Sequence, residues 1–237
     1  MGSQPQADIT IYTNHKCPFA HRAHIVLSEL GLAYKEEIID LDTPRPPEYL
    51  KINPRGVVPS LSYNGEIVTE SAIVAQFLAD AYPTTLLPAS TDPNGPLARA
   101  RIAFFADAWT SKANPLFLKS VYGATSDAKA KELVQETVAA IVKEIEPLLA
   151  SAAPFFGGSE KITLAEALTG SFIIRLFSFA NHGLVPKSLI VRLEKEAPNF
   201  YKWAQEVIKN PSVLSIYNEE VVVEATKKRI AKLKAQA

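Results

Sequence analysis

One cysteine occurs in the 237-residue chain, and a proline follows it directly: Cys17-Pro18-Phe19-Ala20. Proline at the first helical position wastes no hydrogen bond, so the pair marks a helix start. The partial positive charge of that end favours thiolate over thiol. His15, Lys16 and Arg22 lie close by in sequence and can act in the same sense. Position 20 holds alanine, not a second cysteine, so thiol–disulfide chemistry at Cys17 must take its second sulfur from a substrate. A lone cysteine is more often an inert, buried small hydrophobe; the helix-start position argues against that here.

Other candidates are weaker alone. Val58-Pro59 heads a predicted strand, where proline is common without any ligand. Glu70-Ser71 opens a helix whose free N–H groups and hydroxyl can receive a carboxylate, or can serve simply as a cap and a favourable first-turn charge. Cys17, His21 and His24 share one helix face at i, i+4 and i+7. With no carboxylate or second cysteine nearby they match no standard zinc spacing, and no metal is expected.

The elements that must position these residues follow from periodicity. Residues 9–13 alternate as a strand with one buried face, a helix runs from Pro18 to a stop at Gly31, and 34–41 read as a second, parallel strand. Pro44, Pro46 and Pro47 punctuate a loop with a short helical piece. Strands near 58–63 and 66–69 are joined by Asn64-Gly65, a two-residue hairpin signal. Ile73, Val74, Phe77, Leu78 and Ala81 then mark a helix. Between Pro83 and Pro96 no periodicity survives, which places a domain boundary at 88/89. Apolar stripes near 97–122, 126–150, 163–181, 186–196 and 199–210 predict an all-helical second half. Thr163-Leu-Ala-Glu166 has the form of a capping box, opening a central buried helix.

Composition sets the bounds. Lys+Arg and Asp+Glu both number 25, which excludes bulk nucleic-acid binding. No apolar run approaches the ~20 residues of a membrane span, and a single cysteine excludes an intrachain disulfide. Met1–Asp8 lacks the form of a secretory signal, so a reducing, cytoplasmic location is expected. The basic run from Lys227 to Lys234 reads as the solvated end of a last helix.

The order and spacing of Cys17-Pro18-Phe19-Ala20, Asn53-Pro54-Arg55-Gly56-Val57-Val58-Pro59, Glu70-Ser71 and Thr163-Leu-Ala-Glu166 resemble the soluble glutathione transferases over nearly the whole chain. The cysteine in a Cys-Pro-Phe-Ala setting is similar to their omega class. The resemblance implies a thioredoxin-like α/β domain with a mixed four-stranded sheet at residues 1–88, then an all-α domain at 89–237. It implies Cys17 as nucleophile toward glutathione as co-substrate, with Phe19, Val58, Pro59, Glu70 and Ser71 in the glutathione seat. Pro59 is expected to be cis, presenting the preceding backbone to the cysteinyl part, and Glu70-Ser71 to take the γ-glutamyl carboxylate. A lysine expected before Pro47-Glu48-Tyr49 is replaced by Pro46, which leaves Arg45 or Lys51 as the candidates to compensate at the glycyl end. Phe105, Trp109, Phe117 and Tyr122 are expected to wall the second-substrate pocket, and the protein to be a homodimer.

The implied reactions are thiol transfer from mixed disulfides, reduction of dehydroascorbate and removal of glutathione from adducts. A glutathione-dependent conjugating enzyme or cis–trans isomerase is the alternative, which serine-type relatives without the Cys-Pro-Phe-Ala pattern exemplify. A non-catalytic regulatory or scaffold module of the same fold is the other, and retention of Cys17 speaks against it.

Overall fold

The computed structural model describes residues 7–236; most of the polar stretch Met1–Asp8 lies outside them. The first half comprises β1 (Ile9–Thr13), α1 (Pro18–Glu29), β2 (Lys35–Ile38), α2 (Pro47–Ile52), β3 (Ser60–Tyr63), β4 (Glu66–Thr69) and α3 (Ser71–Ala81). The sheet order is β2-β1-β3-β4. β1 pairs in parallel with β2, Thr10 opposite Lys35, and antiparallel with β3, Ile11 opposite Leu61. A four-stranded mixed sheet results, with the βαβ then ββα order of a thioredoxin-like domain.

Alternation in β1 drives Ile9, Ile11 and Thr13 inward. The hairpin between β3 and β4 turns on Asn64 and Gly65, at φ 52° and 89°, the positive pair that a type I′ turn requires. Two expected strands are shorter than predicted. β2 ends at Ile38 and is an exposed edge strand, so only part of the 34–41 run finds a partner. β3 begins at Ser60, after Pro59, which has no N–H to give to a ladder.

Residues 82–94 hold only turns and bends, and the division expected at 88/89 lies within this connection. Leu86 and Leu87 are buried there, and the Leu86 carbonyl accepts from Leu164 N–H at 2.7 Å.

The second half is helical: α4 (Gly95–Ala108), α5 (Asn114–Tyr122), α6 (Asp127–Ala140), α7 (Leu164–Asn181), α8 (Ser188–Glu196), α9 (Pro198–Val207), α10 (Pro211–Leu214) and α11 (Glu219–Gln236). The periodic runs at 97–122 and 126–150 are each interrupted by a π-helical turn, at Trp109–Ala113 and Ile141–Ile145. Pro115 and Pro147 follow these turns. A proline removes a helical donor and crowds the carbonyl four residues back, and a wider turn relieves both.

α7 is buried all round and is the axis of the molecule, packing on α1, α3, α4 and α9. Its capping box forms: Ala165 N–H donates to Thr163 Oγ1, and Glu166 Oε2 accepts from Thr163 N–H at 2.9 Å. The other oxygen, Oε1, accepts from Phe156 N–H and Trp203 Nε1, each at 2.7 Å. One fully buried carboxylate thereby joins three segments of the helical half.

Candidate functional site

Cys17 sits at the N-cap of α1, half-buried, its N–H donating to the Asn14 carbonyl at 2.9 Å. Asn14 fixes this loop. Its Nδ2 donates to the Ile39 carbonyl at 2.9 Å, and its Oδ1 accepts from Lys16 N–H at 3.0 Å. Cys17 Sγ lies 3.9 Å from the Val58 carbonyl, and the Val58–Pro59 bond is cis. The two sequence-predicted elements therefore meet, although 41 positions separate them. Tyr49 and Asn53 brace the turn from below: the Tyr49 hydroxyl and Asn53 Nδ2 both donate to the Val57 carbonyl, at 2.6 and 2.9 Å. Both also lie 3.1 Å from Ser60 Oγ.

Glu70 and Ser71 open α3. Glu70 holds φ 69° and ψ 116°, a left-handed conformation that a residue with a side chain adopts only when its surroundings impose it. Its carboxylate pairs with Arg55. Ser71 Oγ accepts from Arg22 Nη1 at 3.2 Å, which ties α3 to α1. Phe19 is exposed and meets Phe172 of α7 edge to face at 5.2 Å, with the Arg22 guanidinium over both rings.

Two buried arginines dominate the electrostatics. Arg22 donates from Nε to the Leu168 carbonyl at 2.6 Å and from Nη2 to Thr110 Oγ1 at 3.2 Å. Arg175, from the middle of α7, donates to the Ser171 carbonyl at 2.7 Å and to the Lys16 carbonyl at 3.3 Å. Among the described residues neither makes an ion pair with a carboxylate. Burial pushes each guanidinium down to about 10, and a charge on Cys17 opposes that shift in both. Unpaired buried cations are costly, and here backbone carbonyls and hydroxyls take the place of a carboxylate.

The histidines divide. His21 Nδ1 accepts from Arg175 at 3.2 Å, since a guanidinium can only donate, and its ring stacks on Tyr217. Burial, then Arg175, holds His21 well below the usual imidazole range. His24 faces the other way, toward Thr13, Tyr34 and Glu36, and burial pushes it down to about 4. The face shared by Cys17, His21 and His24 in the helical projection is thus not a common pocket.

Two sequence expectations require correction. Phe105, Trp109 and Phe117 are fully buried in the helical core, packed on Trp203, Phe200 and Phe179 respectively, and wall no opening. Helical spacing marks a buried stripe without saying whether protein or ligand covers it. Tyr122 is partly buried, under the Arg229 guanidinium at 5.0 Å. Arg45 spends its donors on the carbonyls of Asp40, Leu41, Thr43 and Gly56 and clasps the loop before α2. Lys51 stays exposed in the last turn of α2. The sequence reading also missed the 215–219 segment, which with His15 lines an open cavity of about 520 Å3. Arg175 did leave a signal, as the one charge in the apolar run Phe172–Phe179.

Residues 16–81 match the N-terminal domain of the glutathione S-transferases. Protein IN2-1 homolog A of Oryza sativa is 31% identical over 83% of this chain and 75% of its own length. Glutathione transferase omega-1 of Caenorhabditis elegans is 27% identical over 87% of this chain and 79% of its own. The crystal structure of glutathione transferase Omega 1C from Trametes versicolor superposes with a TM-score of 0.81 at 26% identity, covering 97% of this chain and 98% of that one. The chain belongs to the glutathione transferases. Within that family it is omega-like, an enzyme that uses glutathione.

Proposed function

We propose that this transferase works by thiol transfer through Cys17. The thiolate attacks the sulfur of a glutathione mixed disulfide, forming Cys17–S–S–glutathione and releasing the partner as a thiolate, which takes up a proton. The thiolate of a second glutathione then attacks the Cys17 adduct, so that oxidised glutathione leaves and Cys17 is restored. The cycle uses no metal ion. The observation that carries it is the half-buried Cys17 at the N-cap of α1, its Sγ 3.9 Å from the Val58 carbonyl that precedes the cis bond to Pro59.

In the glutathione seat, the Val58 backbone before Pro59 receives the cysteinyl part beside Sγ. Glu70, Ser71 and the first N–H groups of α3 take the γ-glutamyl end, and the constrained backbone of Glu70 supports a clamping role. Phe19 covers the seat from α1. With Arg45 engaged, Lys51 is the cation for the glycyl carboxylate. The second substrate, a small disulfide, dehydroascorbate or a glutathionyl adduct, approaches Cys17 from the His15 side, where residues 215–219 border a shallow, open depression.

Exposed Ile73 on α3, with Leu97 and Phe104 one above the other on α4, support a homodimer through these helices. Free Cys17 supports a reducing, cytoplasmic location. Among the described residues no helix is long and apolar enough to cross a membrane.

The test is intact mass after incubation with oxidised glutathione, beside Cys17→Ser. One glutathione adduct, removed by reduced glutathione and absent from the variant, is expected. Adduct formation only after unfolding would overturn the reading.

A further inference from the structure

We propose that His15, His24 and Glu36 form a binding site for a divalent transition ion of the zinc type, with a donor set that does not include the Cys17 sulfur. The three residues come from different elements: His15 from the β1–α1 loop, His24 from α1 and Glu36 from the edge strand β2. His15 Nε2 lies 2.8 Å from Glu36 Oε1 and His24 Nε2 lies 3.4 Å from the same oxygen. All three donor atoms fall within 4.8 Å of one another. A tetrahedral ion with bonds of about 2.0–2.1 Å needs its donors roughly 3.4 Å apart. Small rotations of two partly exposed side chains, His15 and Glu36, bring the set to that spacing.

The donor chemistry fits. Two imidazoles and a carboxylate suit zinc, cobalt or nickel, and three protein ligands leave a fourth position for water or an outside ligand. His24 is oriented from behind: its Nδ1 lies 3.1 Å from the Tyr34 hydroxyl, which can accept the Nδ1 proton and leave the Nε2 lone pair facing Glu36. Thr13 Oγ1 also lies 2.9 Å from Nε2, and in the tautomer with its proton on Nδ1 the ion would take the place of the Thr13 hydroxyl proton at that lone pair. His15 and Glu36 are open to solvent, so an ion has a path of entry. Helix periodicity alone could not reveal the site, because the carboxylate arrives from the neighbouring strand. A bound ion would pin β2 to the loop two residues ahead of Cys17.

The experiment titrates the chelator-stripped full chain with Zn2+ alone by calorimetry and with Co2+ by absorption. It includes wild type, Cys17→Ser, His15→Gln and Glu36→Gln; the buried His24 is left intact. One ion per chain is expected in wild type and Cys17→Ser, with tetrahedral cobalt bands and no sulfur charge-transfer absorption. His15→Gln and Glu36→Gln should each weaken binding at least tenfold. The proposal falls if wild type takes up no ion, if affinity survives both ligand substitutions, or if the cobalt spectrum shows sulfur and binding disappears in Cys17→Ser.

Discussion

Arg175 donates a hydrogen bond to the carbonyl of Lys16 across 159 positions of sequence, at 3.3 Å, and so fastens the central helix α7 to the residue just before Cys17. It also carries a full charge into a buried site, where charge on Cys17 and the neighbouring tyrosines acts in its favour but no carboxylate pairs with it. Replacing Arg175 by Met keeps most of the volume and removes the charge. Without the tie to Lys16, alkylation of Cys17 by a neutral reagent at pH 7 should slow about fivefold, the size of one lost positioning hydrogen bond of about 1 kcal/mol. An unchanged alkylation rate in a folded variant would make Arg175 a packing residue only.

Ser71 makes a parallel case at the other end of the proposed glutathione seat. Its hydroxyl holds Arg22 Nη1 and stands in the first turn of α3. Ser71→Ala should raise KM for glutathione about five- to tenfold, as expected for one lost hydrogen bond of about 1 kcal/mol. The kcat should change much less, since the γ-glutamyl end is remote from the reacting sulfur. A fall in kcat at constant KM would place the γ-glutamyl group elsewhere.

What the sequence disclosed was mostly local. The Cys17-Pro18 helix start, the Asn64-Gly65 hairpin and the Thr163–Glu166 box each depend on residues within a few positions, where turn and cap chemistry acts. The meeting of Cys17 with Val58 came through the resemblance, because no local rule brings residues 41 apart together. Phe105 and Trp109 misled because their spacing reports burial, and Phe200 and Trp203 of α9, not a substrate, cover them. His24 was grouped with Cys17 by helix arithmetic, whereas its neighbours are Thr13 of β1, Tyr34 and, from β2, Glu36.

Glu166 should be the most sensitive single position for stability. Both its oxygens are buried and accept from Thr163, Phe156 and Trp203. Glu166→Ala would strand at least two of these donors, at about 1–3 kcal/mol each. A loss of about 3 kcal/mol or more in urea unfolding is expected, with no specific effect on Cys17 reactivity in the fraction that folds. A loss under 1 kcal/mol would show that water replaces the carboxylate without penalty.

Phe104 tests the proposed dimer. Phe104 is largely exposed on α4, so Phe104→Glu should leave folding intact while placing a charge in the proposed interface. Light scattering should then give half the wild-type mass. A wild type that is already monomeric, or a dimer that tolerates the charge, would remove this face from consideration.

Acid should weaken the fold through the buried histidines. His24 has its folded value near 4, against 6.5 for an ordinary imidazole; burial causes the shift, Glu36 opposes it and His15 adds to it. Because the folded value is the lower one, the unfolded chain takes up this proton first as pH falls. The contribution is therefore complete above about pH 6.5 and is lost on the way down to about pH 4, at most about 3 kcal/mol from this group. His21, lowered in the same direction by burial and Arg175, adds to the slope. Carboxylates titrate over part of the same range, so the useful quantity is a difference: urea unfolding of wild type and His24→Gln at pH 7.5, 5.5 and 4.5. The variant starts less stable but should lose less between the first and last pH. Equal losses would mean that His24 opens to solvent and is protonated without unfolding.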